Sequence, residues 1–468
     1  MILSDVCEFI VDCPHTTAED EGTGYPLIRT PNIGKGRLIF EGVHRVSQET
    51  YNKRNLRATP QEGDLIFARE APAGNVAVIK KGQEVCLGQR TVLIRPNKEL
   101  VDPDYLTYYL LAPQQQYKLL GTANGATVAH VNLPIIRNLP IHLPNIEKQT
   151  SIALVLSTYD DLIENNQKQI KLLEEAAQRL YKEWFVDLRF PGYEDVKVVD
   201  GVPEGWKKLP LGELIEYEIG GGWGEEQPTE KCDQPAYVIR GTDLYDVTHG
   251  NARSIPYRYH AKNNLDSRKL QDGDIVFEVS GGSKNEGVAR TALITKSLLN
   301  YLESDVICAS FCKLIRLKNK GYAKYMHDTF QYLRNSGETE KYDKRSASSI
   351  VNYRWKDFLE QQFIFVPTDE IFQQYNGVVM FIQKTISNKA QSIEHAKEAR
   401  DRLLPKLMSG ELDLSEKKKA EILQPLPKLS YNDFLLDLGM AARAKTVSEA
   451  DLRAMYEAYL DDDAEDRD

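Results

Sequence analysis

Hydrophobic residues recur at every seventh position in two long stretches of the chain, residues 164–185 and 387–408. A sustained heptad is typical of helices that pair as a coiled coil. Asn166 and Lys389 are polar residues on this seam, and such residues cost stability but help to fix the register of the pair. The predicted seam consists of Ile163, Asn166, Ile170, Leu173, Leu180, Trp184, Ile382, Ile386, Lys389, Ile393, Leu403 and Leu407. The alternative interpretation is two separate helices, each packed on its own domain.

The segments that precede these two stretches also resemble each other. The sequence "YPLIRTPNI" at 25–33 matches "AYVIRGTDL" at 236–244, and "EGDLIFARE" at 62–70 matches "DGDIVFEVS" at 272–280. Short apolar runs such as "DLIFA" and "DIVFEV", bounded by Gly and Pro, indicate strands, and "PDYLTYYLLAPQQQYKLL" indicates a helix. A repeat of this length predicts a duplicated domain rather than a solenoid.

The repeat predicts the organisation of the chain. We expect an α/β fold of the mixed α+β kind, with two pseudo-twofold-related domains separated by a two-helix antiparallel coiled coil. Helices of about 40 residues are roughly 60 Å long, and two similar domains on such a spacer are the layout of a protein that reads two separated DNA half-sites. The predicted segments are a first domain at 1–145, a first spacer helix at 146–190, a second domain at 191–366, a second spacer helix at 367–414 and an acidic, partly helical extension at 415–468.

Charge is distributed unevenly along the chain. The 468 residues have a formal net charge of −10, which taken alone argues weakly against nucleic acid as a partner. Residues 25–98, however, contain 13 Lys/Arg against 6 Asp/Glu, a net of +7, and residues 236–320 contain 13 against 9, a net of +4. Phosphate groups respond to local charge, so each predicted domain has a basic stretch that suits DNA.

Polar residues in the loops and turns of these basic stretches are candidates for base recognition. Arg and Lys can hydrogen-bond guanine, and Asn and Gln can hydrogen-bond adenine. The candidate DNA-binding residues are Arg29, Thr30, Asn32, Lys35, Arg37, Arg69, Asn75, Arg90, Arg240, Thr242, Arg253, Arg258, Ser283, Lys284, Asn285 and Arg290. The alternative for each is a phosphate contact, the commoner contact at such interfaces, or a solvated charge. Arg29 and Arg240 share a repeat position, which favours a common role such as a phosphate clamp. Arg69 aligns with Val279, which favours it for reading that differs between the half-sites.

The sequence lacks the motifs of a catalytic site. It contains no Asn/Asp/Ser-Pro-Pro-aromatic tetrapeptide of an amino-methyltransferase, no Walker-type phosphate loop and no HExxH or comparable metal spacing. We therefore expect no catalytic residue and no metal site, and we interpret the chain as a binding module. The six cysteines form no CxxC pair, and no apolar run reaches the roughly 18 residues of a membrane span. Reduced thiols and a cytoplasmic location, with no membrane partner, are expected.

The organisation of the chain resembles that of a known family. The stretch "LPNIEKQTSIALVLSTYDDLIENNQKQIKLLEEAAQRLYKEWF", together with "VNLPIIRNLPIHLP", "GDLIFAREAPAGNVAV" and "ARDRLLPKLMSGELDL", closely resembles the specificity subunit of type I restriction-modification enzymes. The resemblance covers roughly residues 1–414. It rests on several motifs in the same order, so it is more specific than a single signature.

The resemblance implies that each α/β segment is a target-recognition domain for one half of a bipartite, asymmetric sequence in double-stranded DNA. It implies that the helices set the spacer between the halves and bind two methyltransferase subunits, which bring S-adenosylmethionine and methylate adenine at N6. Motor-nuclease subunits would complete the restriction complex. The chain itself would have no catalytic activity and bind no cofactor.

Two alternatives to this function remain open. One is a specificity protein of a modification-only methyltransferase, without a nuclease. The other is a coiled-coil scaffold that joins proteins without DNA, against which the basic excess in both domains argues. Binding to random DNA at rising salt separates a DNA-binding protein from a scaffold.

Residues 415–468 depart from the family pattern. They contain 8 Lys/Arg against 13 Asp/Glu, which makes docking on DNA unfavourable. Leu452, Met455, Tyr456, Tyr459 and Leu460 form one apolar stripe at helical spacing. We expect residues 430–460 to dock on a partner methyltransferase or on the chain's own helices.

Overall fold

The chain forms two compact units. The computed structural model describes residues 1–121, 130–249, 252, 254–281, 287–345, 350–412 and 414. Of these, unit 1 contains residues 1–164 and 395–414, and unit 2 contains residues 165–394. The predicted extension at 415–468 lies outside the described residues, so its helical content and its docking stay predictions.

Unit 1 contains a four-stranded and a three-stranded sheet. Its strands are β1 (Cys7–Asp12), β2 (Tyr25–Ile28), β3 (His44–Val46), β4 (Leu65–Ala68), β5 (Val76–Val78), β6 (Cys86–Leu87) and β7 (Thr91–Pro96). The larger sheet is antiparallel and has the order β1-β7-β4-β5, and the smaller has the order β3-β2-β6, with β2 and β6 parallel. All four residues of β4, "LIFA", are buried, which explains its continuous apolar run.

Helices pack against both sheets of unit 1. They are α1 (Gln48–Arg54), α2 (Pro103–Leu111), α3 (Pro113–Leu120), α4 (Leu133–Arg137) and the first part of α5 (Ile146–Tyr181). Asp102 starts α2 because its carboxylate accepts a hydrogen bond from the Tyr105 amide at 2.9 Å, ahead of a proline at the first helical position. The core joins Phe67 of the sheet to Tyr108 of α2 and Leu156 of α5.

Unit 2 repeats this topology with additional short strands. Its strands are β8 (Val198–Val199), β9 (Val202–Pro203), β10 (Lys207–Pro210), β11 (Ile215–Gly220), β12 (Gln234–Ile239), β13 (Tyr257–His260), β14 (Ile275–Glu278), β15 (Ser280–Gly281), β16 (Thr291–Leu293), β17 (Val306–Cys308), β18 (Cys312–Leu317), β19 (Asp343–Arg345), β20 (Val351–Tyr353) and β21 (Phe363–Val366). Its helices are α6 (Leu244–Thr248), α7 (Lys262–Arg268), α8 (Lys296–Leu302), α9 (Ala323–Asn335), α10 (Trp355–Gln361) and most of α11 (Asp369–Ser409).

The main sheets of the two units have equivalent strand orders. The order β11-β18-β14-β16 in unit 2 corresponds to β1-β7-β4-β5 in unit 1, and β13-β12-β17 corresponds to β3-β2-β6, again with one parallel pair. Sheets β15-β20-β19, β10-β21 and β8-β9 complete unit 2. The predicted duplication of a mixed α/β domain is therefore confirmed.

One ion pair is the same in both units. Asp64, just before β4, accepts two hydrogen bonds from Arg95 of β7, at 2.8 and 2.7 Å. Asp274, just before β14, accepts two from Arg316 of β18, at the same two distances. A buried carboxylate requires such partners, so this pair fixes the same end of the larger sheet in each unit.

The long helices α5 and α11 pair in an antiparallel manner. In unit 1, Asp160 accepts a hydrogen bond from Arg400. In unit 2, Asn166 donates to Ser392 at 3.2 Å, and Lys389 donates to Gln169. Residue numbers rise along α5 as the numbers of their partners fall along α11. The predicted antiparallel helix pair is confirmed, and the alternative of two separate helices is wrong.

The predicted seam residues are all at least partly buried. The buried ones are Ile163, Asn166, Ile170, Trp184, Ile382, Ile386, Ile393 and Leu407. The half-buried ones are Leu173, Leu180, Lys389 and Leu403. Trp184 lies in a π-helical turn (Lys182–Val186) that follows α5, and its ring is 5.9 Å from that of Tyr375 in α11.

Two further expectations concern the chain as a whole. The six cysteines are free thiols, and four of them are buried. Among the described residues, no helix is both long enough and apolar enough to span a membrane. The predicted domain boundaries stay a prediction; α5 and α11 lie within the segments proposed as spacer helices.

Candidate functional site

Four strand ends meet at one edge of the larger sheet of unit 1, which we call edge 1. Strands β1 and β4 end there, at Asp12 and Ala68, and β5 and β7 begin there, at Val76 and Thr91. Neighbouring strands are antiparallel, so the end of one lies beside the start of the next. Edge 1 therefore brings together polar side chains that are far apart in the sequence.

Arg69 lies at edge 1 and is almost fully buried. Its Nε donates to the Val131 carbonyl at 2.9 Å, its Nη1 donates to Asp12 at 2.9 Å, and its Nη2 lies 2.8 Å from Nε2 of His130. These contacts hold β1 and the segment before α4 against the end of β4. Arg69 therefore has a structural role, and its base contact stays a prediction.

Glu70 connects His130 to Arg90 at the same edge. A guanidinium can only donate, so Nε2 of His130 accepts from Arg69 and its Nδ1 carries the proton. That Nδ1 donates to one oxygen of Glu70, and the other oxygen lies 3.0 Å from Nε of Arg90. The Arg90 side chain is 59% exposed, so this predicted DNA-binding residue faces solvent.

Four more predicted residues lie beside edge 1. Arg29, Thr30 and Asn32 form a 3₁₀ turn after β2, in which the Asn32 amide accepts from the Arg29 N–H at 3.3 Å and donates to the Ile39 carbonyl at 3.1 Å. Asn75 donates to the carbonyl that follows this turn, at 2.8 Å. The two amides thus support the backbone, and their DNA contacts stay predictions.

Arg37 is directed towards the long helix α5 and is separate from edge 1. It is hydrogen-bonded to Asp161 of α5 at 2.6 Å and lies 3.5 Å from Asp104 of α2. Burial alone lowers the pKa of Arg37, but Tyr108 and Asp161 raise it by more, so the guanidinium stays charged. The neighbouring Lys35 is exposed. The structure therefore places Arg37 in a contact within unit 1.

The equivalent edge of unit 2, which we call edge 2, holds two ion pairs. Glu278, the last residue of β14, is buried and accepts from Nε and Nη2 of Arg290 at 2.8 and 2.5 Å. Arg240 forms a similar two-bond pair with Asp243, at 2.8 and 2.7 Å, and these bonds raise its pKa. A Cβ on Gly241 would lie 2.5 Å from Glu278, so the two pairs are adjacent.

The other predicted residues of unit 2 are distributed differently. Thr242 is exposed beside edge 2. Arg258 lies on β13, where its guanidinium stacks on Trp223 at 4.6 Å and pairs with Glu226 at 2.9 Å. The predicted residues Arg253, Ser283, Lys284 and Asn285 lie outside the described residues.

Sequence reasoning missed the carboxylates and the histidine at the edges. Asp12, Glu70, Glu278 and His130 orient the arginines, but a search for DNA-binding residues favours cations and amides. Glu70 directly follows the predicted Arg69, which was the available signal. Within the described part of the chain, no group of three or more His, Cys, Asp or Glu residues could hold a metal ion.

Comparison with known proteins gives consistent results. Residues 1–175 match the family described as "Type I restriction modification DNA specificity domain". The type I restriction enzyme MjaIX specificity subunit of Methanocaldococcus jannaschii is 26% identical over 417 residues, which cover 84% of this chain and 88% of that protein. The HindI specificity subunit of Haemophilus influenzae is 22% identical and covers 75% of this chain and 87% of its own length.

A solved structure, the type I restriction-modification S subunit from M. genitalium, superposes with a TM-score of 0.48 at 14% identity, over 89% of this chain and 96% of that one. The match over residues 1–175 assigns the N-terminal segment to the class of DNA sequence-specificity domains. Over 84% of its length the chain is similar to a type I restriction-modification specificity subunit, and its first 175 residues match the DNA specificity domain of such proteins.

Proposed function

We propose that this chain is a non-catalytic specificity subunit that reads a bipartite target in double-stranded DNA, one part with each unit. The observation that carries the proposal is the repetition of one sheet topology with different side chains at its equivalent edges. Because the two units share one backbone arrangement, each can contact DNA in the same orientation. Different side chains on that backbone supply different sequence preferences.

The distribution of charge supports contact with DNA. The basic stretches at 25–98 and 236–320 contribute the arginines of both edges, whereas the net charge of the whole chain is −10. Arg90 and Lys35 are exposed cations in unit 1. Cations of this kind release counterions from phosphate groups and give binding that weakens steeply with salt.

The paired helices α5 and α11 are the proposed docking surface for two methyltransferase subunits. Large apolar side chains are exposed along them, namely Leu154, Leu172 and Met380. Exposed apolar side chains on a helix favour contact with a protein partner. S-adenosylmethionine would be bound by those partners, and motor-nuclease subunits would join the same cytoplasmic complex.

Methylome sequencing of cells that carry this chain with its methyltransferase partner tests the proposal. We expect N6-methyladenine within one bipartite sequence of fixed spacing. Loss of modification on deletion of the chain, with the partner still expressed, would show dependence on it. Modification that continues unchanged without the chain would contradict the proposal.

Purification of the tagged chain from the same cells tests the partners. Co-purification of methyltransferase and motor-nuclease subunits is expected. Recovery of the methyltransferase without a nuclease would instead support a modification-only enzyme. Filter binding to random duplex DNA between 50 and 200 mM salt should show a decrease of at least tenfold in affinity, and a salt-independent result would support a scaffold.

A further inference from the structure

The backbones of edge 1 and edge 2 can be matched residue by residue through their hydrogen bonds. Three bonds between strand ends occur in both units, with lengths of 2.9–3.1 Å. The bond from Cys13 N to Thr91 O in unit 1 corresponds to the bond from Gly221 N to Cys312 O in unit 2. In the same way, Arg69 N to Arg90 O corresponds to Val279 N to Phe311 O. The third pair is Val131 N to Arg69 O and Tyr353 N to Val279 O. These bonds define one frame, so each side chain at edge 1 has a defined counterpart at edge 2.

The counterparts differ in residue type at all five positions and in charge at four of them. Edge 1 places Asp12, Arg69, Glu70, Arg90 and His130 where edge 2 places Gly220, Val279, Ser280, Phe311 and Asn352, respectively. Four of these edge 1 residues have charged side chains, and the five counterparts at edge 2 are uncharged. At these positions the same backbone therefore carries charged groups in one unit and uncharged groups in the other, while the ion pairs of edge 2 lie at other positions.

Arg90 is held in place but keeps free donors. Its Nε lies 3.0 Å from Glu70, which is itself oriented by His130. Among the described residues, no protein oxygen accepts from the two terminal nitrogens of Arg90, and its side chain is 59% exposed. Two parallel donors on an oriented guanidinium match the O6 and N7 acceptors of guanine in the major groove.

Phe311 occupies the position equivalent to Arg90. Phe311 is 52% exposed, although removing a phenyl group from water is favourable in free energy. The neighbouring pair of edge 2 is neutral, with Ser280 donating to Asn352 at 3.0 Å. An exposed apolar group suits the C5-methyl group of thymine, which is also presented in the major groove.

We propose that Arg90 and Phe311 are equivalent specificity-determining residues, through which unit 1 selects a guanine and unit 2 selects a thymine at the corresponding position of its part of the target. Glu70 acts on Arg90 as a positioning residue. This inference rests on the proposed function, because it requires that both edges face DNA.

Reciprocal substitution tests the proposal in the assembled methyltransferase complex. Phe311→Arg should replace thymine by guanine at one position in the part of the target read by unit 2, by roughly tenfold or more in relative modification. Arg90→Phe should remove the guanine preference at one position in the other part. Matched controls are Tyr301→Arg on α8 and Lys81→Phe after β5, which change exposed residues away from the edges and should leave both parts unchanged.

Conservative variants keep the test decisive if a reciprocal variant fails to fold. Arg90→Lys keeps the charge but loses the two-donor geometry, so base preference at that position should relax while modification continues. Phe311→Leu keeps an apolar contact and should keep the thymine. Glu70→Gln should relax the same position as Arg90→Lys, with an unchanged melting temperature.

The failure of this inference is distinct from that of the proposed function. If the wild-type complex modifies no bipartite sequence, the proposed function is wrong. If the wild-type complex does so and the folded Phe311→Arg and Arg90→Phe variants keep both parts of its target, then only the inference about these two residues is wrong. A change in both parts from one substitution would also overturn it.

Discussion

The two ends of the larger sheet differ in how closely they repeat between the units. At one end, Asp64–Arg95 and Asp274–Arg316 have the same two hydrogen-bond lengths. At the other end, matching backbone positions carry Asp12, Arg69, Glu70 and Arg90 at edge 1 but uncharged residues at edge 2. A duplicated domain thus keeps the ion pair that fixes its strands and varies the side chains that face outwards. The ion pairs that fix the strands and the residues proposed to read DNA therefore lie at opposite ends of the sheet.

Exchange of a whole predicted recognition domain should have the largest effect on the target sequence. Replacement of residues 1–145 by the corresponding domain of another family member should change one part of the target and leave the other unchanged, because each unit has its own sheets. Methylome sequencing gives the readout, and exchange of residues 191–366 is the reciprocal control. A change in both parts after either exchange would contradict independent reading.

Removal of the repeated ion pair should have a similar effect in either unit. Arg95→Ala and Arg316→Ala each leave a buried carboxylate without its main partner. Each should lower the free energy of unfolding of its unit by about 2–4 kcal/mol. Chemical denaturation measures this loss, and Lys81→Ala, at an exposed position, is the control. Effects that differ strongly between Arg95→Ala and Arg316→Ala would show that the pairs are not equivalent.

The contact between α5 and α11 in unit 2 contains a half-buried cation, Lys389. Burial lowers the pKa of Lys389 from its ordinary value of 10.5 to about 8. Between those two pH values the unfolded chain binds more protons, so the free energy of unfolding should rise with pH from 8 to 10.5. Lys389→Met should raise the free energy of unfolding by about 1–2 kcal/mol at pH 7 and should change it little at pH 11.

The control for this substitution is Lys384→Met, at an exposed position of the same helix. Thermal unfolding at pH 7, 9 and 10.5 gives the comparison. A parallel pH dependence for Lys389→Met and the wild type would mean that Lys389 is not the titrating group.

The smallest effect is expected at the contact between α6 and α5 in unit 2. Burial lowers the pKa of His249, but the hydrogen bond and charge of Glu174 outweigh burial and keep the pKa raised. Stability from this pair is therefore complete below pH 6.5 and is lost as pH rises through the folded-state pKa. Glu174→Gln should lower the free energy of unfolding by about 0.5–1 kcal/mol at pH 5.5, and by less at pH 9.

Nuclear magnetic resonance titration of His249 checks this prediction directly, because Glu174→Gln should lower its pKa. His395, on α11 outside this contact, is the internal control. An unchanged pKa for His249 in the variant would show that Glu174 does not hold it charged.

The repeat, the strands and the long helices could be predicted because they depend on local periodicity. The partners along the helix pair could not. The sequence offset made Asn166 and Lys389 equivalent, but equivalence between copies is not contact. Antiparallel pairing places Asn166 beside Ser392 and Lys389 beside Gln169. The offset identifies the polar positions of the seam, and the direction of the helices decides which residues meet.

The candidate site was predicted less completely for a related reason. Arg37, Arg69 and Arg240 were predicted as DNA-binding cations, but each has a protein carboxylate as a partner. The partner of Arg37, Asp161, is 124 residues away in the sequence. Asp12, the partner of Arg69, is 57 residues away, whereas Asp243 lies only three residues from Arg240. Pairs of the first two kinds form only when the fold brings distant segments together, so composition shows where cations occur but not which of them remain free.

The sharing of both long helices between the units affects synthesis of the protein. Leu407, near the end of α11, belongs to the same core as Leu3 and Ile152 in unit 1. The described part of unit 2, residues 165–394, is translated between these two parts of unit 1. At about 5–20 residues per second this interval lasts roughly 10–50 s. During that time the nascent unit 1 lacks Leu407, so residues 165–394 of unit 2, although later in the sequence, are all present before the core of unit 1 is complete.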